Sequence, residues 1–407
     1  MSLHFIFGRA GTGKTTRCCR EIQDYLKKTP GGRAYLLVPD QGTYTAEYLL
    51  AKSFPGAGFI DVTVCGFSRL AYRVFQELHS PVADALSPLG QQIILRRLLD
   101  AHKDELQVIL RAASQPHFSE KLTAFFHQLD MFLVTEDDLL AASQREGETP
   151  LGKKLADLSL LYKSYHDYLR MHFAYEGSLF DLLAREIPKS EKLRGSHIWI
   201  DGFNGMAPQK IRIVSALVHT AEEVTMTLQM DSPEEAAENP NFARPYQLYS
   251  QMQGAIRHSS SIVLTEEKHF RTSDLSLMAR HFFERHARPR PEDGRVKEGL
   301  HLITAESPKE EVDLISRTIT SLVRDKGLRY RDILVLSRTP ENYSDLFTRS
   351  FATYGIPGFI DEKHPMNNHP LVMLTSFLLQ FLAKETGRRY AGWQRLPLCR
   401  LVKTSLL

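Results

Sequence analysis

Leu3-His4-Phe5-Ile6-Phe7-Gly8-Arg9-Ala10-Gly11-Thr12-Gly13-Lys14-Thr15-Thr16 is the stretch on which the fold turns. Its first part reads as a short buried strand. The strand runs straight into Gly8-x4-Gly13-Lys14-Thr15, the full pattern of a phosphate-binding loop. A helix should follow Lys14 and stop at Thr29-Pro30-Gly31-Gly32. In such a loop the glycines let the backbone wrap closely, so that its N–H groups point at phosphate oxygens. The helix behind adds its positive N-terminal end. Gly8, Arg9, Ala10, Gly11, Thr12, Gly13, Lys14, Thr15 and Thr16 are therefore the candidate nucleotide-binding residues. Lys14 serves as a point charge for the β/γ-phosphates, and the Thr15 hydroxyl as a ligand of Mg²⁺. Charge agrees with this. Residues 1–40 hold seven Lys/Arg against three Asp/Glu, whereas the whole chain of 407 residues carries a net charge of only +3.

A loop of this kind works with an acid at the end of another apolar strand, which helps to hold Mg²⁺. Ile198-Trp199-Ile200-Asp201 fits, and Asp201 is the second candidate metal residue. In hydrolysing motors a glutamate follows this aspartate and polarises water. Here Gly202 follows, so the expected general base is missing.

Outward from these two strands the chain alternates. Ala34–Val38 and Val62–Val64 read as strands, and Ser68–Leu78 as a helix, which argues for a parallel sheet with crossover helices. From Ser87 to about Glu186 the pattern is almost all helical. Thr135 before Glu136, Asp137 and Asp138 reads as an N-cap with acids in the first turn. Leu155, Leu158, Leu161, Tyr162, Tyr165 and Leu169 form an apolar stripe at helical spacing. Strand character returns at His197–Asp201 and at Val224–Gln229. Residues 231–245 and 285–297 read as loops or linkers. Then Leu300–Thr304 reads as a strand, Ser307-Pro308-Lys309-Glu310 as a capped helix start with Val312, Ile315, Ile319 and Leu322 on its buried face, and Asp332–Leu336 as another strand.

Composition bounds the class. At 43% hydrophobic and 24% charged residues the chain is an ordinary globular protein. Cys18, Cys19, Cys65 and Cys399 show no metal-ligand spacing, which excludes a disulfide scaffold and points to a reducing, cytoplasmic compartment. No apolar run is long enough to span a membrane, and no signal peptide is evident, so no membrane partner is expected. The sixteen histidines show no HExxH pattern, and none is given a catalytic role.

The order of the pieces is more specific than any one of them. After the phosphate-binding loop come Leu36-Leu37-Val38-Pro39-Asp40-Gln41 and Val64-Cys65-Gly66-Phe67-Ser68-Arg69-Leu70-Ala71-Tyr72-Arg73-Val74. Ile200-Asp201-Gly202-Phe203 follows, then Tyr330-Arg331-Asp332-Ile333-Leu334-Val335-Leu336 and Tyr354-Gly355-Ile356-Pro357-Gly358-Phe359-Ile360-Asp361. Over all 407 residues this resembles the B subunits (AddB, RexB) of bacterial AddAB helicase-nucleases, relatives of superfamily 1 helicases. The resemblance implies an α/β, RecA-like P-loop NTPase fold: residues 1–85 and 191–285 as one RecA-like domain, 86–190 as a helical insertion, and 298–407 as a second RecA-like domain, expected to be incomplete. It implies an ATP- and Mg²⁺-binding subunit that is not itself the motor. Its partners are an AddA-type motor subunit and single- and double-stranded DNA, and its role is recognition of the Chi sequence in double-strand-break repair. The family's nuclease domain and iron–sulfur cluster belong to a C-terminal part with no counterpart here, so the chain reads as an N-terminal portion and no catalytic residue is assigned.

The resemblance also places DNA contacts on the loops after the second and third strands and after Asp201. Gln41 and Thr43 offer hydrogen bonds, Phe67, Tyr72 and Phe203 offer rings for stacking, and Arg69 offers a phosphate contact. Read without the resemblance, Phe67 and Tyr72 are core residues on a helix face, where an aromatic at helical spacing usually belongs. Two alternatives stand beside the main reading. One is an active P-loop enzyme, such as a helicase or kinase in its own right. The other is a structural module with a vestigial loop.

Overall fold

A computed structural model describes residues 2–54, 61–80, 87–113, 115, 117–173, 179–256, 259–266, 272–281, 299–361 and 366–384. The chain divides into two compact units, residues 1–300 and 301–407. The linker expected at 285–297 lies outside the described residues.

The first unit is built on one parallel sheet. β1 (Ser2–Phe7), β2 (Ala34–Leu37), β3 (Val62–Cys65), β4 (His197–Ile200), β5 (Glu223–Leu228) and β6 (Ser259–Val263) lie in the order β3-β2-β4-β5-β1-β6. Every pairing is parallel, so every connection crosses over, and the strands' C-terminal ends share one edge. The strands read as near-continuous apolar runs because both faces are covered. On one face Ile6, Leu36, Val38, Val64 and Trp199 pack under α1 (Lys14–Lys28) and α2 (Thr43–Ser53). On the other Phe5, Phe7, Leu37, Ile200, Met226 and Leu228 pack against α3 (Phe67–Leu78) and elements farther along the chain.

Between β3 and β4 sits the helical insertion. It comprises α4 (Pro88–Ala101), α5 (Leu110–Ala113), α6 (Phe118–Phe132), α7 (Glu136–Glu146) and α8 (Pro150–Phe173), followed by α9 (Leu179–Glu186), which returns to the sheet. The insertion has its own core, in which the expected stripe supplies Leu158, Leu161, Tyr162, Tyr165 and Leu169. Thr135 caps α7 in a full capping box with Asp138. A buried carboxylate does similar work without any local motif. Asp157 of α8, 2% exposed, accepts the backbone N–H groups of Gln107, Val108 and Ile109. It thereby satisfies the orphan donors that precede α5.

After β4 come α10 (Pro208–Thr220), then β5, α11 (Pro233–Glu238), α12 (Ala243–Ala255), β6 and α13 (Ser273–His281). Residues 231–245 are thus mostly helical, not the loop their polar composition suggests. Ser232 caps α11, with Pro233 in its first turn, and Phe242, Leu248 and Met252 bury apolar surface against the sheet. β6 was not legible either. Ser259-Ser260-Ser261-Ile262-Val263 is exposed throughout and is a strand because β1 offers it an edge.

In the second unit α14 (Pro308–Lys326), α15 (Ser344–Tyr354) and α16 (Pro370–Lys384) form as helices. Ser307 caps α14 as expected, with Val312 and Ile319 buried and Ile315 and Leu322 half-buried. The two strands expected at Leu300–Thr304 and Asp332–Leu336 do not form. No strand pairing occurs among the described residues of this unit, and Leu302 is 94% and Leu336 83% exposed. An apolar run becomes a strand only where a neighbouring strand takes its N–H and C=O groups.

Candidate functional site

The C-terminal edge of the sheet gathers five loops in strand order: Gly66–Arg69 after β3, Pro39–Thr43 after β2, Asp201–Asn204 after β4, Gln229 after β5 and Gly8–Gly13 after β1. Ligands of open α/β sheets bind at this edge. A cleft of about 440 Å³ opens there, lined among others by Gly13, Lys14, Thr15, Asp201, Thr227 and Gln229.

The phosphate-binding loop has the backbone its motif requires. Gly11 and Gly13 sit at φ 81° and 86°, in the left-handed region that glycine adopts without penalty. Gly13 is the N-cap of α1, and no side chain caps it. No capping side chain therefore competes for the first N–H groups of the helix. Lys14 Nζ donates to the carbonyls of Gly8 (2.6 Å) and Arg9 (2.8 Å). Burial holds its ammonium below the usual lysine range, against the opposing pull of Asp201. Thr12, buried, donates its hydroxyl to Arg9 O.

Asp201 is fixed by the ladder, since its N–H donates to Leu37 O (2.9 Å). Its carboxylate is 6% exposed and accepts two hydroxyls. Thr15 Oγ1 donates to Oδ2 at 2.6 Å, and Thr227 Oγ1 donates to Oδ1. β5 lies between β1 and β4, so Thr227 reaches the acid from the intervening strand. Gly202 follows with φ 81°, its Cα facing Pro39. A glutamate here would stand in a backbone region unfavourable to any residue with a Cβ. Cys18 and Cys19, just behind, are buried core thiols. Burial first and Asp201 second push Cys19 up to about 11, which leaves it protonated and unreactive.

Arg9 is engaged elsewhere. Its guanidinium forms a fork on Asp231, Nε to Oδ1 at 2.6 Å and Nη2 to Oδ2 at 2.7 Å, and it donates to Ala279 O and Arg280 O at the end of α13. What Arg9 offers a phosphate is its backbone N–H. Ala10, Gly11 and Thr16 line the cleft.

The residues expected to meet DNA are separated. Gln41 is exposed, and Thr43 is half-buried with its hydroxyl on Asp40 O. Phe203 is half-buried on the wall of the cleft. Phe67 is 3% exposed and lies in the core, 5.4 Å from the Phe203 ring, with Lys210 Nζ over its face. The core reading of this residue prevails: as placed, its ring has no face open to a base, because the first turn of α3 points it into the sheet. Arg69 and Tyr72 (51% exposed) stand on the solvent side of α3, in a separate groove.

Sequence reasoning missed Thr227, Gln229 and Leu49, all in the cleft lining, whereas Asn204, expected with Phe203 on this sheet edge, lines it too. Thr227 had a signal. Thr225 and Thr227 alternate with Val224, Met226 and Leu228 as polar positions of the strand, and both are buried. Leu49 had none, since only the packing of α2 beside α1 brings it to the cleft. No helix among the described residues is long and apolar enough to cross a membrane.

Residues 5–281 match the family model described as "ADDB, N-terminal". The chain is 34% identical over its full length to the B subunit of the ATP-dependent helicase/deoxyribonuclease of Pelotomaculum thermopropionicum, covering 36% of that protein. It is 34% identical, again over its full length, to the proteins of the same name from Bacillus subtilis and Geobacillus kaustophilus, covering 35% of each. The chain thus spans about a third of the length of the curated relatives it matches.

Proposed function

This chain belongs to the AddB N-terminal family, and from that premise we propose that it is the nucleotide- and single-strand-binding portion of the B subunit of an ATP-dependent helicase/deoxyribonuclease. The subunit would work in the cytoplasm in double-strand-break repair and recombination, paired with an AddA-type motor. The sheet is read as a RecA-like P-loop domain. ATP would lie in the cleft with its phosphates on the N–H groups of residues 8–16 and on Lys14. Thr15 and Asp201, already one hydrogen bond apart, fit a Mg²⁺ ion, and when bound that ion would neutralise phosphate charge. Single-stranded DNA would cross the loop row at Gln41, Thr43, Phe203, Arg69 and Tyr72 and take part there in Chi recognition. Phe67 would support Phe203 from beneath.

One observation carries this reading. The Asp201 carboxylate meets the Thr15 hydroxyl across an intervening strand, and the next residue is a left-handed glycine. The site has the groups that hold a nucleotide and lacks a carboxylate next in sequence to activate water. Motor activity is therefore read as lost.

The test is binding against turnover. MgATP at 100 times its Kd should add about 2.7 kcal/mol of stability, read as a rise in Tm. Lys14→Ala should abolish that rise, and turnover should stay at background with or without DNA. Robust DNA-stimulated hydrolysis would instead favour an active motor. No shift at millimolar MgATP would favour a vestigial loop.

A further inference from the structure

α3 shows solvent a face that the nucleotide cleft does not use and that the loop row enters only at Arg69 and Tyr72. Arg69, Tyr72, Arg73 and Gln76 recur at i, i+3, i+4 and i+7 and stand on its outer side, while Leu70, Ala71, Val74 and Phe75 form the buried face. A groove of about 480 Å³ runs along this stripe, with Lys192 on its other wall. Three cations therefore face one carboxylate, Glu77. That carboxylate is already used by the fold: Oε2 accepts the Ser190 hydroxyl (2.7 Å) and Oε1 accepts the Lys192 N–H (2.9 Å). These bonds pin the 190–192 segment against α3 and hold the two walls together.

We propose that this groove is a phosphate track for single-stranded DNA, with Arg73 and Lys192 as backbone contacts beyond the loop row. It rests on the single-strand reading of that row and extends it. Three observations select this occupant. The groove is basic, and a polyanion is its electrostatic complement. Tyr72 stands among the cations with an open ring, the combination of stacking face and charge that single-strand sites use. The groove is also continuous with the row, because α3 begins directly after Gly66 and Arg69 lies in its first turn. From Arg69 to Arg73 the helix rises about 6 Å, which sets the two guanidinium groups in series along the groove. Arg73 is oriented by a bond from Nη1 to the Thr63 hydroxyl (3.2 Å). The field of the pair reaches inward: burial pushes the Cys65 thiol up, to about 11, against the opposing pull of Arg73 and Arg69.

The experiment measures affinity against salt, using the whole chain and oligo-dT of two lengths, about 4 and about 16 nucleotides. For the longer strand Arg73→Ala/Lys192→Ala should weaken binding tenfold or more at low salt. It should also flatten the log–log salt slope by about 0.7 for each phosphate no longer neutralised. The shorter strand, held by the loop row, should bind as before. Arg73→Lys should keep the slope, and Gln76→Glu, a surface change that leaves the fold alone, should weaken the longer strand only. Wild-type affinity and slope in the double variant overturn the groove and leave the row standing. So does a loss confined to duplex DNA or to an acidic peptide. A wild-type chain that binds neither strand removes the row, and the groove with it.

Discussion

Two regions of this chain are written in the same local syntax and end differently. In the first unit, short apolar runs alternate with amphipathic helices and close into a six-stranded parallel sheet. In the second, apolar runs at 300–304 and 332–336 flank α14 in the same way, yet they lie outside any ladder and largely exposed while the helix forms. The difference lies in what each element needs. A helix satisfies its backbone within itself, and α14 adds a serine cap, a proline in its first turn and a glycine at its C-terminus. A strand satisfies nothing until a second strand lies beside it. A parallel sheet further needs both faces covered. The first unit supplies six strands and two helical layers, and the described part of the second supplies neither.

This contrast can be broken by measurement. The largest effect expected is in hydrogen exchange on the whole chain. Amides of β1, β4 and β5 should open only with global unfolding, at a cost on the order of 5–15 kcal/mol. Those of 300–304 and 332–336 should exchange almost as in a free peptide. Slow exchange in the second set would mean that these segments do pair. Next in size, Phe5→Ala, at 1% exposure between two layers, should cost about 3–5 kcal/mol in denaturant unfolding. A cost below about 1 kcal/mol would show the sheet to be far less essential than its burial implies. Asp157→Ala should cost about 1–3 kcal/mol, since it strands three backbone N–H groups. Asp157→Asn, which keeps an acceptor, should cost less, and equal losses would remove the capping account. Ser307→Ala should destabilise α14 by about 1 kcal/mol, visible as faster exchange in its first turn. The smallest effect belongs to Leu336→Ala, which should stay within about 0.5 kcal/mol. A core-sized loss there would contradict its exposure.

Legibility followed the same division. The glycine-rich turn into α1, the stop of α1 at Thr29, the stripe of α8 and the caps of Thr135 and Ser307 were all readable, because each is settled within a few residues of itself. The composition of 231–245 misled, since Ser232 and Pro233 are as much a helix start as a loop signal. Phe67 also misled: an aromatic in the first turn of a helix faces the core or the solvent according to where the helix docks, and α3 docks it inward.

The sequence by itself determined the glycine-rich turn of Gly8–Lys14, the strand-ending Asp201 and the glycine after it, because backbone conformation and charge at those positions are local properties. Only the tertiary structure decided that Asp201 reaches Thr15, that Thr227 also donates to Asp201, that Arg9 turns to Asp231 and that Leu49 enters the cleft. Those partners lie far apart along the chain, and strand order and helix docking alone bring them together. The lack of a ladder among the described residues of the second unit has the same cause: apolar runs propose strands, but hydrogen bonds from a neighbour make them.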